Sequence, residues 1–251
     1  MLLRNFFIAS VFLLSLASCR QETWRIVQAT SVKIPVDSSA ELIADKDYQA
    51  FILPYKQQID SELNTVIGRS ATAMAVARPE SLLSNFSADM LREAASEKLD
   101  TIIDIAIVNV GGLRTQLPKG DITKRHIFEL MPFENELVVL WLRGEKLSEL
   151  LDIIASVGGE GISGIKMGIK NNNAVNVLIN GQPLEPDKLY AIATNDFLAG
   201  GNDKLTPLAE YERRVDSGLK LRNVYIDYIV SKTQKGGEIQ SKLDKRIYYV
   251  D

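Results

Sequence analysis

Three short segments concentrate residue types that bind small polar ligands. The first is Asn109-Val110-Gly111-Gly112-Leu113-Arg114. Its glycine pair follows an apolar run, where glycine allows positive φ and close approach of a ligand to the backbone. Arg114 is a planar, permanently charged fork suited to a phosphate or a carboxylate. Asn109 can orient a hydroxyl. The plainer alternative is a turn carrying a surface arginine. The second segment is Met131-Pro132-Phe133-Glu134-Asn135, in which a Pro-Phe pair ahead of a strand can present an aromatic face. Taken alone, Phe133 is more often a core residue. The third is Asn195-Asp196-Phe197-Leu198-Ala199-Gly200-Gly201-Asn202-Asp203. There Phe197 is either a plug for its loop or a stacking platform. Two aromatics on separate loops can sandwich a flat ring, and base stacking contributes roughly 1–3 kcal/mol. Asp203 can accept a hydrogen bond from a ribose hydroxyl or a base amine.

The elements around these segments follow from hydrophobic periodicity. Ile102 to Val110, Glu136 to Leu142 and Leu189 to Thr194 are continuous apolar runs of the kind found in strands buried on both faces. Each chemistry-bearing segment therefore lies at the end of, or just ahead of, a buried strand, where ligands bind in sheet-based folds. Asp37-Ser38-Ser39 caps a helical region running to Ile67, with Phe51, Tyr55, Ile59, Leu63 and Ile67 recurring every fourth residue. Pro54 predicts a kink there, or two helices. Ala71 to Ala77 reads as a strand or an extended link. Ser81 to Leu99 is a second helix, with Leu82, Leu83, Phe86 and Leu91 inward and Asp89, Arg92 and Glu97 toward water. Thr123–Leu130, Gly144–Ala155 and Asn223–Lys232 are further helices, and Arg246–Val250 is a closing strand. Asn171-Asn172-Asn173 and Asn180-Gly181 are hairpin signals. The sum is a single α/β (α+β) domain, a mixed β-sheet packed with helices.

Composition narrows the chemistry. The 251 residues are 46% apolar and 24% charged, as in an ordinary globular domain. Formal net charge is -3, from 29 basic and 32 acidic side chains, so a nucleic-acid footprint is not expected. One cysteine rules out an intrachain disulfide and a Cys-rich zinc site. One histidine, His126, rules against a His-rich dinuclear hydrolytic centre, and no metal site is expected. A hydrolase centred on His126 is the least favoured reading. No Gly-x-Ser-x-Gly elbow accompanies it, and a helix residue after a loop is the plainer role.

Residues 1–18 read as a signal peptide: Arg4, then an apolar run from Phe6 to Leu16. The stretch is short for a membrane span. Leu16-Ala17-Ser18-Cys19 resembles a bacterial lipobox, in which Cys19 becomes the first mature residue and carries lipid. Residues 19–38 are then the lipidated cysteine and a tether, and 39–251 the domain. The lipid alone would attach the protein to a membrane of the bacterial cell envelope, periplasmic or surface-exposed.

The three segments, in this order, resemble the signatures of the 5'-nucleotidase C-terminal domain family, as in ecto-5'-nucleotidase and UDP-sugar hydrolases. The likeness extends over about Ser39 to Asp251. It includes Pro54-Tyr55-Lys56 and the spacing of Glu80 and Asn85 before Ala88-Asp89. It implies a nucleotide or nucleoside ligand. Asn109, Gly111, Gly112, Arg114, Phe133, Asn195, Phe197 and Asp203 would form its site. Arg114 would meet the phosphate, Phe133 and Phe197 would clamp the base, and Asp203 would bind the ribose. The last segment departs from the family pattern, because Asn202 precedes Asp203 and Lys204-Leu205 follow it. Arg78 is out of register with a family arginine. Members also carry a metallophosphatase domain with Asp-x-His and Gly-Asn-His segments, which these 251 residues do not contain. The expectation is a split 5'-nucleotidase. This chain would recognise the nucleotide without a cofactor of its own and be inactive alone, while a separate metallophosphatase supplies divalent metals. The alternatives are a stand-alone nucleotide-binding lipoprotein and a structural lipoprotein with a vestigial pocket.

Overall fold

A computed structural model of the chain describes residues 25–35, 37 and 45–250. The signal segment and Cys19 lie outside the described residues, as do Ser38 and Ser39. The chain divides into two units, Met1–Phe51 and Ile52–Asp251. In the first, residues 25–35 hold neither helix nor strand. Asp45 there caps a helix, its Oδ1 accepting from the backbone N–H of Asp47 at 2.9 Å and of Tyr48 at 3.1 Å. That helix, α1 (Lys46–Leu63), continues through Pro54 as one element. The carbonyl of Ala50 loses its helical donor at Pro54, but this stretch is exposed and water can replace it.

The remaining elements follow in chain order: β1 (Val66–Ser70), α2 (Leu82–Leu99), β2 (Ile105–Val108), β3 (Gly120–Thr123), α3 (Lys124–Leu130), β4 (Glu136–Arg143) and α4 (Gly144–Ser156). After them come β5 (Gly161–Ser163), β6 (Ile165–Lys170), β7 (Asn173–Ile179), β8 (Gln182–Pro183), β9 (Leu189–Asn195), α5 (Asp196–Ala199), β10 (Arg213–Lys220), α6 (Leu221–Gln234) and β11 (Ile247–Tyr249). Ile67 belongs to β1 and not to the first helix, and it packs against α6 residues in the core. Ala71–Ala77 forms no strand; Met74 bridges to Leu117, and the Ala71 N–H donates to the Ile239 carbonyl at 3.0 Å.

The central sheet has the order β10-β4-β9-β2-β5. The three expected buried strands are its middle, and their alternation explains why they read as unbroken apolar runs. Ala106, Val108, Leu137, Val139, Ala191 and Ala193 point to one core, with α2, α3 and α6. Ile105, Ile107, Val138, Leu140, Leu142, Tyr190 and Ile192 point to the other, with α4 and the second sheet, β11-β6-β7-β8. Side chains alternate along a strand, so both faces must be apolar when both are covered. Each buried Leu, Ile or Val contributes about 1.5–3 kcal/mol.

Ser81 caps α2, its side chain accepting from the Ser84 N–H at 3.1 Å. Both hairpin signals form two-residue loops with positive φ. Asn171 (50°) and Asn172 (62°) join β6 to β7, and Asn180 (51°) and Gly181 (82°) join β7 to β8. His126 serves a cap. Its Nδ1 accepts from the Thr123 N–H at 3.0 Å at the start of α3.

At the β4–α4 junction the chain runs against another backbone segment. A Cβ on Gly144 would sit 2.0 Å from the Glu185 carbonyl oxygen. Neither side can yield cheaply, because Gly144 N–H and Glu145 N–H are bonded to the Lys188 and Pro186 carbonyls at 2.9 Å each. Gly144→Ala is expected to destabilise the fold by about 1–3 kcal/mol. A thermal melt would check this, and an unshifted midpoint would refute it.

Candidate functional site

Strand order brings the three segments together. β2 and β9 run parallel as neighbours, with Ile105 opposite Ile192 and Ala106 opposite Ala193. Their C-terminal ends therefore lie at one edge, and the first and third segments leave from them. β4 runs antiparallel to β9, with Leu137 opposite Asn195, so the loop preceding β4 lies at the same edge. Ligand sites form outside the carboxyl ends of parallel strands for this geometric reason. The Thr194 hydroxyl donates to the Ile107 carbonyl at 2.9 Å and ties β9 to β2 beside the site.

A cleft of about 350 Å³ opens there, lined by Asn109, Gly111, Gly112, Arg114, Phe133, Asn135, Phe197 and Asp203. Ligand pockets run from roughly 300 to 1,000 Å³, so this one has room for a small molecule. Of the residues singled out from sequence, only Asn195 is absent from the lining. It is buried, and its Oδ1 accepts from the Leu198 N–H at 2.8 Å, capping α5. Asn135 joins the lining. It stood in the second segment as a loop residue, but nothing in its type separated it from its neighbours.

Phe133 is 49% exposed and Phe197 41% exposed. Neither is a core residue, although a phenylalanine at position 133 taken alone suggests one. Loop geometry keeps both rings at the surface. The Asp196 Oδ1 accepts from the Phe197 N–H at 2.9 Å and from the Glu136 N–H at 3.0 Å, joining the Phe197 loop to the start of β4. The Asn202 side chain, a departure from the family pattern, donates to the Phe197 carbonyl at 2.7 Å and closes its loop. Asp203 and Lys204 then adopt φ of 54° and 66°. With that turn, Asp203 still reaches the cleft, where its Oδ2 accepts from the Asn109 amide at 2.6 Å.

The glycine pair acts differently from the expectation. Val110–Gly112 forms a 3-10 turn, and neither Gly111 nor Gly112 is among the residues with positive φ. Gly112 is required for space, since a Cβ there would lie 2.7 Å from the Asn109 Oδ1 and push the amide off Asp203. A Cβ on Gly111 would meet no atom within 4 Å, so packing does not demand glycine at that position. Arg114 lies over the same turn. Its Nη1 donates to the Gly111 carbonyl at 3.2 Å, and its Cζ is 6.0 Å from the centre of the Phe133 ring. That is a cation–π distance, which also turns the guanidinium toward the aromatic side of the cleft.

The turn is held from behind by groups that sequence reasoning missed. The Val110 N–H donates to the Glu160 Oε2 at 2.5 Å, and the Arg78 Nη2 donates to the Glu160 Oε1 at 2.7 Å. Glu160 is buried, so this pair fixes the first segment rather than decorating the surface. Glu160 stands between glycines far along the chain, and no local pattern links it to Val110. Glu80 and Asn85, part of the resemblance, hold the C-terminal segment. Asn85 donates to the Glu80 Oε1 and to the Lys242 carbonyl, both at 2.8 Å, and the Asp244 N–H donates to the same Glu80 oxygen at 2.7 Å.

Among the described residues no group of three or more His, Cys, Asp or Glu side chains is placed to hold a metal ion. The cleft offers stacking faces, a cation, an amide and a carboxylate. That set suits a flat, hydrogen-bonding, anionic molecule.

Comparison with known proteins identifies a family. A family model described as "5'-nucleotidase, C-terminal domain" matches residues 64–210. The trifunctional nucleotide phosphoesterase protein YfkN of Bacillus subtilis is 28% identical over 238 residues, covering 85% of this chain and 16% of its own length. Protein UshA of Yersinia enterocolitica is 26% identical over 215 residues, covering 80% of this chain and 39% of its own. Among solved structures, a 5'-nucleotidase precursor from Thermus thermophilus superposes with a TM-score of 0.69 at 26% identity, over 84% of this chain and 45% of that one. The chain thus spans less than half the length of each of these relatives.

Proposed function

This chain belongs to the 5'-nucleotidase C-terminal domain family, and on that premise we propose that it recognises nucleotides or nucleosides for a split 5'-nucleotidase. The observation that carries the reading is the cleft. Two half-exposed phenylalanines from different loops line it together with Arg114 and the Asn109–Asp203 pair. The base would stack between Phe133 and Phe197, and stacking of this kind tolerates every base. Arg114 would meet the phosphate with its remaining donors. Asp203, with Oδ2 engaged by Asn109, would accept from a ribose hydroxyl at Oδ1.

Hydrolysis of the phosphoester calls for metal donors that the described residues do not group together. In such hydrolases two metals activate water and clamp the phosphate. We assign them to a separate metallophosphatase polypeptide, and this chain alone to binding. Cys19, in its lipobox-like setting, would carry a lipid that keeps the chain at a membrane of the cell envelope. Among the described residues no helix is long and apolar enough to cross a membrane. A Cys19→Ser variant should fail to incorporate labelled palmitate in growing cells, and unchanged incorporation would remove the anchor.

The decisive assay measures AMP hydrolysis by metallophosphatases of the same cell envelope, with and without this chain. A rate gain that depends on the chain supports the split enzyme. If no mixture exceeds the metallophosphatase alone, that arrangement fails. Calorimetric titration with AMP then separates what is left. Binding without any rate gain identifies a stand-alone nucleotide-binding protein, and absence of binding identifies a vestigial pocket.

A further inference from the structure

We propose that Arg222 and Glu134 form an ionic clamp that orders the Phe133 loop, although neither residue lines the cleft. The inference rests on the nucleotide reading for its functional consequence, but the geometry that supports it is independent of any ligand.

Phe133 sits in a five-residue connection between α3 and β4, residues 131–135. Its ring is half-exposed, so packing of the ring does not hold the loop. What does hold it comes from the junction of β10 and α6. The Leu221 N–H donates to the Asn135 carbonyl at 2.8 Å. The Lys220 ammonium donates to the Glu134 carbonyl and to the Glu136 Oε1, both at 3.0 Å. The Arg222 Nη2 pairs with the Glu134 Oε1. Three consecutive residues thus grip the segment that carries two lining residues, Phe133 and Asn135.

Arg222 is itself immobilised. Its side chain is 13% exposed, and its guanidinium lies 4.2 Å from the centre of the Phe128 ring on α3. Its Nε is buried without a hydrogen-bond partner. A buried donor left unpaired costs stability, so its presence calls for an explanation. Holding the guanidinium over Phe128, where Nη2 reaches Glu134, is one. Glu134 is far more exposed, so the pair is partly screened and loop order should weaken as salt rises. A loop ordered before binding spares the ligand the entropy of ordering it.

The test uses the whole chain and AMP. Glu134→Gln, on the exposed side, and Arg222→Met should each weaken AMP binding by about three- to tenfold, the size of ordering one or two side chains. The double variant should be no weaker than the worse single one, because both remove the same interaction. In the ligand-free protein, amide exchange over 133–136 should quicken in Glu134→Gln while the thermal midpoint stays put. Unchanged exchange in that variant overturns the clamp, as do additive effects on AMP affinity. If the wild-type chain binds no AMP, the nucleotide reading falls, and the exchange result still decides the clamp.

Discussion

The Phe133→Ala/Phe197→Ala double variant is expected to lose AMP affinity by about thirtyfold or more while keeping its fold. Each aromatic face contributes roughly 1–3 kcal/mol to base stacking, and tenfold in affinity is about 1.4 kcal/mol. The two faces come from different loops at one sheet edge, so removing one leaves the base covered on a single side. Single variants should fall between wild type and double. Both rings are half-exposed and belong to neither core, so truncation should shift stability by no more than about 0.5 kcal/mol. Calorimetric titration with AMP, adenosine and UMP, beside a thermal melt, reads both quantities. A double variant that binds AMP within threefold of wild type would mean that the cleft does not bind the base by stacking. Adenosine and AMP should lose similar factors in the double variant, because the phosphate would rest on Arg114 and not on the rings.

The second large effect concerns the C-terminal segment. Arg246 is 8% exposed and spends its whole guanidinium on fixed partners. Nη1 donates to the Asp89 Oδ1 at 2.7 Å and to the Ile162 carbonyl at 2.8 Å, and Nη2 donates to the Asp89 Oδ2 at 2.9 Å. Nε and Nη2 also bond the two Asp244 oxygens, each at 2.9 Å. Burial works against the charge, but the hydrogen bonds and attraction of Asp89 and Asp244 outweigh it and push the guanidinium pKa up. Arg246→Met keeps bulk and leaves the two carboxylates without their shared cation. Removing one partner of a buried pair costs about 3–5 kcal/mol. The exposure of Asp89 places this case at the low end, about 3 kcal/mol. A loss below about 1 kcal/mol in urea unfolding would show that the cluster is dispensable.

The same cluster sets an acid dependence. The hydrogen bond from Arg246, helped by its charge and that of Lys242, holds the Asp244 carboxyl below the usual carboxylate range against the opposing effect of burial. A carboxyl with a depressed pKa in the folded state contributes stability above its unfolded value, about 3.9. That contribution fades as pH falls through the folded value. Wild type should therefore lose stability over this acid range more steeply than Arg246→Met, and parallel curves would rule Asp244 out as the cause.

Local chemistry made much of this molecule legible before its structure. A short apolar run bounded by turns fits a strand covered on both faces, and β2, β4 and β9 are such strands. Asn171-Asn172 and Asn180-Gly181 carry positive φ cheaply, so the hairpins were readable from residue type. Ser81 announced the start of α2. The three ligand-type segments were readable too, and the cleft gathers seven of the eight residues drawn from them.

What could not be read depended on partners far away in sequence. β10 went unseen because an edge strand covered on one face only, rich in Arg, Asp, Ser and Gly, has no apolar run. Ile67 fits a helical spacing as well as a strand, and only pairing with β3 decides between them. Asn195 has the side chain of a ligand residue and of a helix cap, and the start of α5 claimed it. Gly112 was legible as a close approach but not as room for Asn109. Glu160 and Arg222 gave no signal, and Arg78 only an out-of-register likeness, since a charged residue looks the same whether it faces water or steadies a loop from across the fold. Residue order was enough to mark the buried strands, the turns and the three loops that line the cleft, because those depend on neighbours within a few positions. That the loops meet at one edge emerged only in three dimensions, because strand order and direction come from burying two cores at once.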